Sequence, residues 1–126
     1  MPSVPRILIA DDEPDVRSVL ARHLASTGYE VLEAADGRAC LEVLRTTGVD
    51  LVILDIYMPD MDGIAVIAQA RRDFPHVRIL AISGGGTVPR DRTLEIAQRL
   101  GAARTLTKPF ERDELLALVR ELLGES

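Results

Sequence analysis

The run Leu51-Val52-Ile53-Leu54 is apolar throughout and ends on a carboxylate, Asp55. An apolar wall raises the free energy of a charge, so a carboxylate there needs a partner or a task. The pattern recurs at residues 6–10, where "RILIA" ends on Asp11-Asp12. Ser83 closes the segment "VRILAIS" (77–83), and Lys108 follows the short segment "RTLT" (104–107). If these ends converge, three carboxylates face one another, and they cannot all stay ionised without a counter-charge. Oxygen ligands around net negative charge suit a hard divalent cation, Mg²⁺ foremost. Lys108 adds a single-point cation able to pair with an acid or a phosphate, and Ser83 adds a hydroxyl donor. Such a set suits attack of a carboxylate oxygen on phosphorus, with metal and lysine sharing the developing charge.

The elements that must position these groups follow from periodicity. Residues 6–10, 29–34, 50–54, 77–83 and 104–107 read as strands. Val16, Val19, Leu20 and Leu24 recur at helical spacing from Pro14 to about Thr27, with Gly28 as a stop and Asp12 or Glu13 as cap. Further helices are expected over Asp36 to about Thr47, over Gly63 to Asp73, around Leu94, Ile96, Ala97 and Leu100, and along Leu115 to Leu123. Strict strand–helix alternation implies a parallel sheet covered on both faces. The first, third and fourth strands are apolar, while the second and fifth are polar. A five-stranded order 2-1-3-4-5 puts the polar pair at the edges, the α/β doubly wound, flavodoxin-like (βα)5 arrangement. In that arrangement ligands bind beyond the carboxyl ends of the strands, where the acids, Ser83 and Lys108 stand.

Composition narrows the classes. The chain has 126 residues, 47% of them hydrophobic and 28% charged, enough for one domain with its own core. A net charge of −5 without a basic block argues against a nucleic-acid surface. The single cysteine, Cys40, excludes an internal disulfide. No stretch reaches transmembrane length and "MPSVPR" lacks a signal-peptide core, so a cytoplasmic protein with no membrane partner is expected.

In order and spacing, "ILIADDEPD", "LVILDIYMPDMDG", "AIS" and "LTKPF" resemble the receiver domain of two-component response regulators, over roughly residues 5–123. The resemblance implies that Asp55 is the phosphoacceptor, taking a phosphoryl group from a histidine kinase or a histidine phosphotransfer protein. It implies Mg²⁺ held by Asp12, Asp55 and the backbone carbonyl of Tyr57, with Asp11 acting through a water. Ser83 would hydrogen-bond the phosphoryl oxygen, and Lys108 would pair with the phosphorylated aspartate across a cis bond to Pro109. One receiver unit spanning residues 1–126 is expected, without an output domain and signalling through protein contacts, with a receiver fragment of a longer regulator as the alternative. It would be a monomer, or a weak dimer through the face of helix four, strand five and helix five.

Two departures from the family's pattern stand out. Thr105 occupies the position, three before the lysine, where the family usually has an aromatic that swings inward. Gly84 and Gly85 open the loop after Ser83, leaving the phosphoryl pocket and its approach free of side chains, and that loop is expected to be mobile. Asp60 and Asp62 read as turn and cap residues, Glu13 as a solvated first-turn acid, and His23 and His76 as surface or packing residues. Tyr57 flanks the pocket, with modulation of phosphoryl lifetime and loop packing as its two roles.

Three rivals are weaker. A flavodoxin needs a hydroxyl- and glycine-rich phosphate loop where this chain has "ADDEPD". A phosphatase of the haloacid dehalogenase type places a second aspartate two residues after the nucleophile, and Tyr57 stands there. A degenerate receiver acting only as a binding module would have lost key positions that are intact here.

Overall fold

The computed structural model describes residues 4–57, 63–83 and 90–125, with the backbone alone at 90–94. Five strands and five helices alternate: β1 (Arg6–Ala10), α1 (Pro14–Ser26), β2 (Glu30–Ala34), α2 (Gly37–Thr46), β3 (Leu51–Asp55), α3 (Gly63–Asp73), β4 (Arg78–Ser83), α4 (Arg90–Leu100), β5 (Arg104–Thr107) and α5 (Arg112–Leu122). The strands form one parallel sheet in the order β2-β1-β3-β4-β5. The expected polar edges are therefore the real ones.

Side chains alternate across a strand, and here both faces are covered. On one face Leu8, Ala10, Val52, Leu54, Ile79 and Ala81 pack with Cys40 and Leu44 of α2, Val66, Ile67 and Ala70 of α3, and Ala97 of α4. On the other, Ile7, Ile9, Leu51, Ile53, Leu80 and Ile82 pack with Leu20 and Leu24 of α1 and with Leu115, Leu116, Val119 and Leu122 of α5. That double burial is why β1, β3 and β4 read as unbroken apolar runs. Among the described residues, no helix is long and apolar enough to cross a membrane.

Three details differ from the sequence expectations. Val19, Ile96 and Leu100 lie on helical stripes yet remain exposed, because each helix buries only the strip facing the sheet. The N-cap of α1 is Glu13, and its side chain makes no capping bond. The caps of α2 and α1 thus differ: Asp36 accepts the Ala39 amide at 2.8 Å, as an N-cap carboxylate should, whereas the turn before α1 is held by Asp11, whose Oδ1 accepts the Glu13 amide at 2.9 Å. The third strand also runs one residue further than expected, so Asp55 is its last member rather than its successor.

Candidate functional site

Register alone brings two carboxylates together. In the β1–β3 ladder Ala10 pairs with Leu54, so the next residues, Asp11 and Asp55, stand side by side beyond it. Both continue the parity of Ile7, Ile9, Leu51 and Ile53 and so lie toward the α1 and α5 face. They are 2% and 6% exposed. Lys108, just past β5, reaches between them, with Nζ 3.3 Å from Asp11 Oδ2 and 3.3 Å from Asp55 Oδ2. Its backbone amide donates to the Ser83 carbonyl at 2.8 Å, tying the ends of β5 and β4 together. The Lys108–Pro109 peptide is cis, as expected.

The second oxygen of Asp55 is also engaged, Oδ1 accepting the Tyr57 amide at 3.0 Å. Oxygens of Asp11, Asp12 and Asp55 lie within 4.8 Å of one another. This all-oxygen cluster, with two of its members buried, fits a hard divalent cation. Burial pushes the Asp55 carboxyl above its usual range; the Tyr57 amide and Lys108 pull against that shift, and Asp11 adds to it. For Lys108, burial alone would lower the ammonium's pKa, but the facing Asp55 and Asp11 outweigh it and the net shift is upward.

Ser83 is fully buried at the last position of β4, one residue beyond Ile82, the partner of Asp55. Thr105 sits in β5 opposite Ala81, half-buried. Tyr57 is 38% exposed. His76 is exposed, and neither histidine belongs to the acidic cluster. Gly84, Gly85, Asp60 and Asp62 lie outside the described residues.

Two contributors escaped the sequence. Arg17 of α1 donates from Nη1 to the Asp11 carbonyl at 2.8 Å and pairs through Nε with Glu33 at 3.1 Å, bracing the turn that carries the acidic pair. The periodic spacing that placed α1 says nothing of this contact. Gly63, at the start of α3, donates its amide to the Ile56 carbonyl at 2.9 Å, one residue after Asp55.

A parallel five-stranded sheet with an acidic cluster and a lysine at its carboxyl edge defines a class of protein, and comparison with known proteins identifies it. The family model for the response regulator receiver domain matches residues 7–120, and the chain belongs to that family. Response regulator MprA of Mycolicibacterium vanbaalenii is 40% identical over 120 residues, 94% of this chain and 50% of MprA. Transcriptional regulatory protein TcrA of Mycobacterium tuberculosis is 38% identical over 117 residues, 93% of this chain and 45% of TcrA. The chain thus spans about half the length of these curated relatives. Among solved structures, the receiver domain of NtrX from Brucella abortus matches at a TM-score of 0.87 and 32% identity, covering 95% of this chain and 99% of that one. TrrA of Thermotoga maritima, solved in complex with Mg²⁺-BeF, matches at 0.84 and 32%, covering 95% and 100%.

Proposed function

We propose that this chain is the phosphorylatable switch of a two-component pathway, with Asp55 as the phosphoacceptor. One observation carries the assignment: Lys108 Nζ stands equidistant, at 3.3 Å, from buried oxygens of Asp11 and Asp55. A nucleophile, its acidic neighbour and a cation are thereby held in one pocket before any phosphoryl group arrives. Asp55 is the nucleophile. Its oxygen forms the O–P bond as the P–N bond to the donor imidazole breaks, and the imidazole departs with the electron pair. Lys108 and the Ser83 hydroxyl then receive the phosphoryl oxygens.

Asp12, Asp55 and the Tyr57 carbonyl would hold Mg²⁺, with Asp11 acting through a water. Bound there, Mg²⁺ supplies positive charge that offsets the negative charge building on the transferred group. The donor is a histidine kinase or a histidine phosphotransfer protein in the cytoplasm. Residues 1–126 act as one receiver unit whose output is a protein contact, and exposed Ile96 and Leu100 on α4 offer apolar surface for it. No external substrate is turned over. A receiver joined to an output segment is the second reading, favoured by the share of the relatives' length that this chain spans.

Phosphotransfer from a labelled histidine kinase, or from a small acyl phosphate, tests the assignment. Label is expected on the parent in Mg²⁺ and at background on Asp55→Asn. Label retained on Asp55→Asn would overturn the acceptor, and labelling indifferent to a chelator would overturn the cation.

A further inference from the structure

Gly63 is the first residue of α3, and among the described residues the glycines with positive φ are Gly28, Gly101 and Gly124. Conformational freedom is therefore not what the position needs. It needs room. A Cβ on Gly63 would fall 2.5 Å from Ile56 Cα, 2.6 Å from its carbonyl oxygen and 2.9 Å from its carbonyl carbon. The first of these is roughly 1 Å inside ordinary van der Waals contact. All three atoms belong to the backbone, so no side chain can turn aside to make space.

Ile56 has little freedom to retreat. Its amide donates to the Ile82 carbonyl of β4 at 2.9 Å, and its side chain, 2% exposed, packs in the core with Val66, Ile67 and Ala70 of α3. On its other flank lies Tyr57, whose amide holds Asp55 Oδ1. Tyr57 carries both that amide and the carbonyl assigned to the metal. A push delivered at Ile56 is therefore passed to the residue that orients the acceptor.

We propose that Gly63 is a positioning residue for the phosphoacceptor: its bare Cα lets α3 begin in direct contact with the Ile56 peptide, and that contact sets where the amide and carbonyl of Tyr57 stand relative to Asp55. The role deepens the assignment of Asp55 and Mg²⁺ made above and rests on it. A small octahedral cation tolerates little displacement of its ligands, so metal binding is where a shift of this kind registers first.

The test compares the parent with Gly63→Ala, and with D-alanine placed at 63 by semisynthesis. The L-methyl points at Ile56, whereas the D-methyl replaces the other hydrogen and points away. Two measurements are made on each: Mn²⁺ affinity by electron paramagnetic resonance, and the Tyr57 amide resonance of the metal-free protein. Gly63→Ala is expected to bind Mn²⁺ about tenfold more weakly, as loss of ligand-orienting contacts commonly does, and to shift the Tyr57 amide. The D-alanine protein is expected to match the parent in both.

Parent-like Mn²⁺ affinity in a folded Gly63→Ala would overturn the role. So would equal loss in the L and D proteins, since that would point to helix disruption rather than the Ile56 contact. Should Gly63→Ala fail to fold while the D-alanine protein folds and binds as the parent does, the Ile56 contact serves the fold rather than the acceptor and the role is overturned; weak binding by a folded D-alanine protein overturns it as well. A parent that binds no Mn²⁺ would instead refute the metal assignment itself, so the two failures are told apart.

Discussion

Asp55 is placed where a carboxylate is least at ease, almost fully enclosed and beside a second acid, and its protonation is coupled to folding in a definite direction. An acid whose pKa is higher in the folded chain than in the unfolded one binds its proton more tightly when folded. Its own contribution to stability therefore declines as pH rises above the ordinary carboxylate range. Lys108 behaves in the opposite part of the scale: its raised pKa contributes stability fully below the usual lysine value of 10.5, and that is lost as pH climbs through the raised value. In metal-free protein, Asp55→Asn is expected to melt a few degrees higher than the parent at pH 7, because Asp11 alone still pairs with Lys108. The gain should shrink toward pH 3, where Asp55 is itself protonated. Calorimetry across that range checks it, and a gain that grew on acidification would contradict the burial argument. Asp11, Asp12, Asp55, Ser83 and Lys108 were legible as a set because each stands at or just past the end of a strand, and parallel strands bring their ends to one edge. Gly63 was not, because room beside a distant backbone is a three-dimensional property, and in the sequence it reads only as the start of a helix.

At the scale of elements, the alternation of five strands and five helices could be read nearly residue by residue, since double burial writes β1, β3 and β4 as apolar runs and leaves the edges polar. The stripes on the helices were less informative. Val19 continues the spacing of Leu20 and Leu24 but sits at the margin of the buried strip, and periodicity cannot say where that margin falls. Asp36, given in the sequence only as the start of a helix, is the N-cap of α2 and takes the Ala39 amide. At α1 Glu13, one of the two residues expected, does occupy the capping position, but the carboxylate that holds the turn, Asp11, lies upstream of it. Asp36→Ala is expected to cost about 1 kcal/mol in urea unfolding, the usual worth of an N-cap. Phosphorylation of Asp55 should be unchanged, as Asp36 is outside the acidic cluster. A loss of labelling in a stably folded Asp36→Ala would mean that α2 communicates with the site by some route other than this cap.

For the whole molecule, a cation bound only by the folded chain must stabilise it by mass action. Mg²⁺ at ten times its dissociation constant should raise the unfolding free energy by about 1.4 kcal/mol. Asp12→Asn should lose most of that gain at the same concentration, and an undiminished gain would remove Asp12 from the ligand set. The ladder that sets Asp11 beside Asp55 has a broader consequence. Their separation is dictated by main-chain hydrogen bonds between β1 and β3, which any pair of apolar sequences can make, rather than by which side chains fill the space behind them. Core residues can therefore be exchanged over long descent, costing stability and having it restored, while the ruler that spaces the acids keeps its divisions. A chain that shares only about a third of its residues with the NtrX receiver domain can then still superimpose on it closely. The active pocket is inherited through the backbone, and the side chains around it are free to drift.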